Sequence, residues 1–152
     1  MLKIGPTTIA AVTEAPSFLE LAAEYAAESQ IKGLPPPTTD MTAYRRLEAA
    51  GLLHAFSATV DGELAGFLTL LVALHPRYAV PLATSESHFV GKAHRKTGAG
   101  LKLLAAAEAK AREMGTPGLL VSAPLGGSLA EVLPRRGFSE TNRVFFKGFA
   151  ND

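Results

Sequence analysis

Cysteine is absent from this sequence of 152 residues. Its absence excludes disulfide bonds, catalysis by a thiolate, and zinc or iron–sulfur sites that use cysteine ligands. A chain without cysteine is compatible with a reducing compartment. The first eleven residues also lack a charged start followed by a sustained apolar stretch, which is the pattern of a signal peptide. We therefore expect a cytoplasmic protein.

The chain also has little net charge and no long hydrophobic segment. Its formal net charge is +1, whereas proteins that bind nucleic acids through phosphates are usually more basic. The longest apolar run, residues 67–74, is far shorter than the roughly 20 residues that span a bilayer. We therefore predict no nucleic-acid partner and no membrane association. Hydrophobic residues make up 47% of the chain, which at this length is typical of a single globular domain, here residues 1–152.

The hydrophobic pattern predicts two helices in the first third of the chain. Ser17 and Glu20 match a capping box for a helix that begins near Phe18. Residues 33–37 include three consecutive prolines, so they must form a loop. Thr39 or Asp40 can then cap a second, shorter helix, which ends at Gly51.

The rest of the chain is predicted to contain five strands and two helices. The Asp61-Gly62 pair is a strong hairpin signal between the first two of these strands. The strands are expected at residues 53–60, 63–74, 78–90, 118–122 and 141–149, and the helices at residues 97–114 and from Gly127 or Ser128 to Pro134. This order predicts an α/β (α+β) fold, with a mixed sheet covered by helices on both faces.

The segment between residues 90 and 104 carries the clearest chemical signal. A strand ends near Val90, a basic loop follows, and small residues at positions 98–100 precede the long helix. Amides at a helix start lack intrahelical acceptors, and the helix dipole adds partial positive charge there. Glycine also lets the backbone approach a bulky anion without a Cβ clash. Consecutive amides from Lys96 to Gly100, with the charges of Arg95 and Lys96, therefore predict a diphosphate site.

Three phosphate-binding motifs compete for this segment. A dinucleotide fingerprint needs a third glycine where the chain has Leu103. A Walker loop fails because its second glycine is missing and the spacing from Gly91 is one residue short. The pattern Arg-x-x-Gly-x-Gly is satisfied by Arg95, Gly98 and Gly100. The structural alternative is that the two glycines only begin a helix against a strand.

The segment resembles the acetyl-coenzyme A motif of the GNAT superfamily of N-acetyltransferases. Val90 stands five residues before Arg95, as in that family, and Gly137-Phe138 is similar to its second cofactor motif. The resemblance implies a mostly antiparallel central sheet and acetyl-CoA as cosubstrate. It also implies that backbone amides of the loop bind the pyrophosphate and that the end of the preceding strand pairs with the pantetheine arm. The cofactor-binding residues implied in this way are Phe89, Val90, Arg95, Lys96, Thr97, Gly98, Ala99 and Gly100.

The sequence departs from the family pattern at the general acid. Many members have a tyrosine that protonates the leaving thiolate, and Leu133 stands at its position. A frequent asparagine of the family is replaced by Gly127. Another group or water must therefore protonate the thiolate, or catalysis is weak.

Candidate bases lie on the strand before the loop. Period-two alternation is expected to point Thr84, Glu86, His88 and Val90 to one face, which suggests a lined cleft that ends at the cofactor site. Glu86 is the first candidate for the catalytic base, acting directly or through a water. His88 is the second candidate, because its intrinsic pKa suits a base near neutral pH. The alternatives are that this face is simply solvated, or that His88 is a buried histidine with a structural partner.

The resemblance implies an N-acetyltransferase that transfers an acetyl group directly to a small-molecule or protein amine. The alternatives are an acyl-CoA-binding domain with little turnover and a generic nucleotide or phosphate binder. The region expected to shape the acceptor site, residues 25–44 and 75–79, has few carboxylates, so a strongly cationic substrate is not favoured. Many proteins of this fold form homodimers, so the resemblance is compatible with a homodimer, although no residue pattern in the sequence specifies one.

Overall fold

A five-stranded sheet forms the centre of the protein. The structure, a computed structural model, describes residues 1–149. The strands lie in chain order across the sheet, and neighbours are antiparallel except for the last pair, which is parallel. They are β1 (Leu2–Thr7), β2 (Leu53–Val60), β3 (Glu63–His75), β4 (Val80–Val90) and β5 (Leu119–Val121). The predicted mixed, mostly antiparallel sheet is confirmed.

Helices cover both faces of this sheet, as predicted. They are α1 (Ile9–Glu14), α2 (Phe18–Glu28), α3 (Thr42–Ala49), α4 (Ala99–Glu113) and α5 (Leu129–Val132), with 3-10 turns at Lys92–Thr97 and Leu133–Arg136. One buried cluster joins α4 to Leu68 and Leu70 of β3. A second cluster, on the opposite face, joins α2 to Phe67 and Phe89. Within residues 1–149, no helix is long and apolar enough to cross a membrane.

The hairpin between β2 and β3 forms where the sequence predicted it. Asp61 and Gly62 have φ angles of 52° and 84°. Two successive positive φ angles are what a two-residue type I′ turn requires, and Asp-Gly is a preferred pair for it. The hairpin therefore rests on local turn chemistry.

A β-bulge at Glu86 interrupts the alternation of β4. Ser85 pairs with Leu70 of β3, whereas Ser87 pairs with the adjacent Thr69. Glu86 is therefore the extra residue of the bulge, and it reverses the side-chain alternation beyond it. His88 consequently lies on the α4 face and Glu86 on the α1–α3 face, so the expectation of one shared polar face is wrong.

The first two elements, β1 and α1, were not predicted. β1 contains Gly5 and Pro6, which weaken a strand pattern in the sequence. Proline is tolerated here because β1 is an edge strand that pairs only with β2. The Thr8 hydroxyl then caps α1 by accepting a hydrogen bond from the Ala11 amide at 3.1 Å.

The predicted capping box of α2 is wrong, although the helix does begin at Phe18. The Ser17 hydroxyl donates instead to the Leu64 carbonyl oxygen at 2.7 Å. This bond ties the start of α2 to β3 rather than closing the helix end. Tertiary contact has therefore replaced the local cap.

The last predicted strand, residues 141–149, is also wrong. No strand forms in residues 137–149, although their β-branched and aromatic content favours one. Val144 and Phe145 are each 88% exposed, and Phe149 is exposed as well. A strand needs a partner along its edge, and this segment pairs with none of the described strands.

Candidate active site

The sheet opens between β4 and β5. These strands pair at only three positions, from Ala83 with Leu119 to Ser85 with Val121. β4 continues to Val90, and no described strand pairs with it on the β5 side beyond Ser85. The backbone groups on that side are therefore available to an extended ligand that carries its own amides.

The loop after β4 leads into the start of α4, where the sequence predicts a diphosphate site. Gly98 caps α4 with a φ of +83°, a left-handed conformation that favours glycine. The first bond across the start of the helix runs from the Lys102 amide to the Gly98 carbonyl at 3.2 Å. The amides of Gly100 and Leu101 therefore have no intrahelical acceptor. Gly98 itself is exposed, so an anion can reach this end of the helix.

Glu86 is held by three hydroxyl groups on the opposite face. Tyr44 donates to Oε1 of Glu86 at 2.8 Å. Thr69 and Ser87 donate to Oε2 at 2.8 and 2.7 Å. Burial raises the pKa of Tyr44 to about 12, and the nearby carboxylate also raises it, so its hydroxyl stays protonated near neutral pH. The three donors fix the carboxylate where β4 bulges.

Tyr44 ends the region that was expected to shape the acceptor site, but its contact with Glu86 was not predicted. It lies on α3, 42 residues before Glu86 in the chain. A tyrosine on a short amphipathic helix carries no local sign of the strand it will meet. The contact is set by how α3 packs on the sheet.

A cavity of about 420 Å³ leads to this carboxylate. Residues of α1, α2, α3 and the proline-rich loop line it, together with β2, β3 and β4. Most of its wall is aliphatic or aromatic, and Glu86 is the only charged residue among those described that line it. A mostly apolar pocket with a few convergent polar groups is the usual form of a small-molecule site.

The fold and the loop agree with a family comparison. The sequence model of the acetyltransferase (GNAT) family matches residues 18–124. The chain belongs to the GNAT family. No curated protein sequence matches it significantly.

Solved structures of other GNAT proteins have a similar fold. A ribosomal-protein-alanine N-acetyltransferase from Brucella melitensis biovar Abortus 2308 aligns with a TM-score of 0.70 and 20% identity, over 96% of each chain. Glucosamine-6-phosphate N-acetyltransferase from Arabidopsis thaliana aligns with a TM-score of 0.74 and 15% identity, over 98% of this chain and 99% of that one. An aminoglycoside acetyltransferase from an uncultured soil metagenomic sample gives 0.71 and 22%, over 97% and 96%. At these identities the likeness concerns the fold.

The position of the frequent GNAT tyrosine is apolar in the structure. Leu133 is 8% exposed and belongs to the buried cluster on the α4 face. It supplies no hydroxyl.

Tyr25 brings a hydroxyl to the open stretch of β4. Its ring stacks on Phe89 with centroids 4.9 Å apart and an interplanar angle of 17°. The backbone amide of His88 donates to its hydroxyl at 3.4 Å. Tyr25 begins the region that was expected to shape the acceptor site, and the structure places it in the cavity wall. Tyr78, in the second part of that region, is 61% exposed and does not line this cavity.

His88 is placed against the start of α4 rather than in the cavity. Its Nε2 lies 2.9 Å from the Gly100 carbonyl oxygen. Burial lowers the pKa of His88, so the ring is neutral near pH 7, with Nε2–H donating to that carbonyl. The side chain thus ties β4 to the first turn of the helix.

Arg95 folds back onto the protein. Its Nε donates to the Val90 carbonyl oxygen at 3.0 Å, and its guanidinium group lies over the ring of Phe89. It also pairs with Glu28 at 2.5 Å, and this hydrogen bond lowers the pKa of Glu28. Arg95 therefore joins the loop to α2. Because both partners are substantially exposed, the pair contributes little to stability.

Proposed function

We propose that this GNAT protein is an N-acetyltransferase that moves an acetyl group from acetyl-CoA to a primary amine, directly, in a ternary complex. The observation that carries the proposal is the position of Glu86, whose carboxylate faces the cavity where the open stretch of β4 begins. One side of that stretch leads to the anion site at α4, and the other leads to the cavity. Two substrates can therefore meet there.

The coenzyme would be held by backbone groups. We assign the pyrophosphate to the amides of residues 96–100 and the pantetheine arm to the strand edge at Phe89 and Val90. The site fits such a ligand, because nothing lies within 4 Å of where a Cβ of Gly98 would stand. Arg95 and Lys96 add positive charge beside it. In this assignment Arg95 also anchors the loop, through its contacts to Val90 and Glu28.

Acetyl transfer forms a C–N bond between the amine and the acetyl carbon and breaks the C–S bond to the coenzyme. The ammonium form of the acceptor must lose a proton, and we propose Glu86 as the base, directly or through a water. Tyr44, Thr69 and Ser87 hold its carboxylate in place. Positioning of this kind supplies a large part of the acceleration in acyl transfer.

The leaving sulfur must gain a proton and the thioester carbonyl must be polarised. The His88 amide is the proposed donor to that carbonyl, because it lies within the open stretch and has only a long contact to Tyr25. Tyr25 is the proposed proton donor, since its hydroxyl is at the same place. His88, the second candidate base, faces α4 instead, so we assign its side chain to positioning Gly100.

Release of free coenzyme A thiol tests the proposal. Because the chain has no cysteine, a thiol reagent reports the product without background from the protein. Acetyl-CoA plus a panel of primary amines should release thiol and yield the acetylated amine by mass spectrometry. Binding of acetyl-CoA without release from any amine would contradict the transferase proposal.

Leu133 favours one alternative function. A GNAT domain without the usual tyrosine can be an acyl-CoA-binding domain with little or no turnover. Calorimetric titration with acetyl-CoA, run beside the release assay, separates the two. The acceptors in the names of the three structural neighbours are amines or carry them, which supports the transferase. The cytoplasmic location, the single domain over residues 1–152 and a homodimer stay predictions.

A further inference from the structure

The wall of the acceptor cavity contains a single charge. Among the described residues that line it, Glu86 is the only acidic or basic residue. The wall has no lysine or arginine to pair with a phosphate, and no second carboxylate to pair with a second ammonium group. Burying an ion without a partner is unfavourable. An acceptor with more than one charge therefore has no place for the others.

The carboxylate of Glu86 has room for one more donor. Two carboxylate oxygens offer about four acceptor positions. Tyr44, Thr69 and Ser87 occupy three of them, two on Oε2 and one on Oε1. The open acceptor position is on Oε1, so one N–H of an amine can donate a fourth hydrogen bond to the carboxylate.

The rest of the cavity suits an apolar body. Phe18, Ile31, Met41 and Phe67 are among its lining residues. The polar groups of the outer wall are uncharged hydroxyls, such as those of Thr13 and Ser29. Contact with the aliphatic and aromatic wall removes apolar surface from water, which favours binding of an apolar ligand.

We infer that the acceptor is a primary amine carried on an uncharged, apolar body, of the alkylamine or arylalkylamine class. This inference rests on the proposed function and narrows it. It separates this cavity from sites for aminoglycosides, which carry several amines, and for sugar phosphates, which carry an anion. The amine lies at Glu86 and the apolar body extends toward Ile31 and the proline-rich loop.

A matched pair of probes tests the inference. Hexylamine and 1,6-diaminohexane have the same chain length, and only the diamine carries a second ammonium group. Because the described wall offers that group no carboxylate besides Glu86, we expect kcat/KM for hexylamine to be about 10- to 100-fold higher. Glucosamine-6-phosphate serves as the anionic comparison and should be a poor acceptor. Equal rates for the two alkyl amines, or a preference for either charged probe, would overturn the inference.

A pair of variants on α2 checks that the cavity causes the preference. Ala26 lines the cavity, whereas its neighbour Ala27 is exposed and does not. Ala26→Asp adds a carboxylate to the wall, so it should lower the rate with hexylamine and raise that with the diamine. Ala27→Asp adds the same charge outside the cavity and should keep the wild-type ratio. An identical shift in both variants would contradict the cavity assignment.

Binding keeps this inference separate from the transferase proposal. Calorimetric titration of each amine into the protein saturated with coenzyme A measures acceptor affinity without any turnover. Tighter binding of hexylamine than of the diamine supports the acceptor class even if no thiol is released, an outcome that contradicts only the transferase proposal. Failure of hexylamine to bind at all would overturn the inference.

Discussion

Replacing Glu86 by glutamine removes the only charge from the described wall of the acceptor cavity and keeps the length of the side chain. A general base contributes about 10²- to 10⁴-fold to such a reaction, so kcat should fall by that factor, or about 2.7 to 5.4 kcal/mol in activation free energy. Affinity for acetyl-CoA should stay within about twofold, because the anion site at Gly98 uses backbone amides of another segment. Thiol release measures the first quantity and calorimetry the second.

A second variant separates loss of the base from loss of a hydroxyl group that holds it in place. Tyr44→Phe keeps the carboxylate and removes one of its three donors. Loss of a hydrogen bond to a charged group should lower the free energy of unfolding by about 1 to 3 kcal/mol. Its kcat should fall far less than that of Glu86→Gln. A kcat for Glu86→Gln within about threefold of wild type, in a folded protein, would refute the assignment of Glu86 as the base.

Three further predictions concern the anion site and the open stretch of β4. Gly98→Glu should abolish coenzyme binding in a titration. The control Gly115→Glu lies at the other end of α4, also at positive φ, and should keep coenzyme binding. Equal binding by both variants would contradict the assignment of the anion site. Tyr25→Phe should lower kcat by about 10- to 100-fold and leave coenzyme affinity unchanged, because the ring still stacks on Phe89. An unchanged kcat would contradict the assignment of Tyr25 as the proton donor. Burial lowers the pKa of His88, so the unfolded chain takes up a proton there at a higher pH than the folded one. The free energy of unfolding should therefore fall as pH drops below about 6.5. In the His88→Gln variant this decrease should be smaller, as measured by urea unfolding between about pH 7.5 and 5.5.

Features that depend on neighbours in the chain were predictable. The hairpin follows from two residues with positive φ, Asp61 and Gly62, and the long helix from its own hydrophobic period. The left-handed cap at the start of α4, where the anion site is predicted, follows from Gly98. Features that depend on distant partners were not: Ser17 bonds to a carbonyl 47 residues away instead of capping its helix.

The predicted last strand, which does not form, also shows that structure depends on distant partners. Residues 141–149 have the composition of a strand, yet a strand exists only when another strand lies beside it. In the structure no such partner adjoins the segment within residues 1–149. β1 is the converse case. Its sequence around Gly5 and Pro6 is a poor strand pattern, yet it forms a strand because it can pair with the edge of β2.

The sequence alone determined the family resemblance, the segment from Arg95 to Gly100 as the predicted coenzyme site and Glu86 as a candidate base, because each is a matter of residue types at short spacing. The tertiary structure decided what surrounds them. The bulge at Glu86 put Glu86 and His88 on opposite faces of the sheet. The packing of α3 brought Tyr44 to the carboxylate, and the packing of α2 brought Tyr25 to the open strand. Register and helix packing are set by the whole core, so no local pattern encodes which side chains meet at the site.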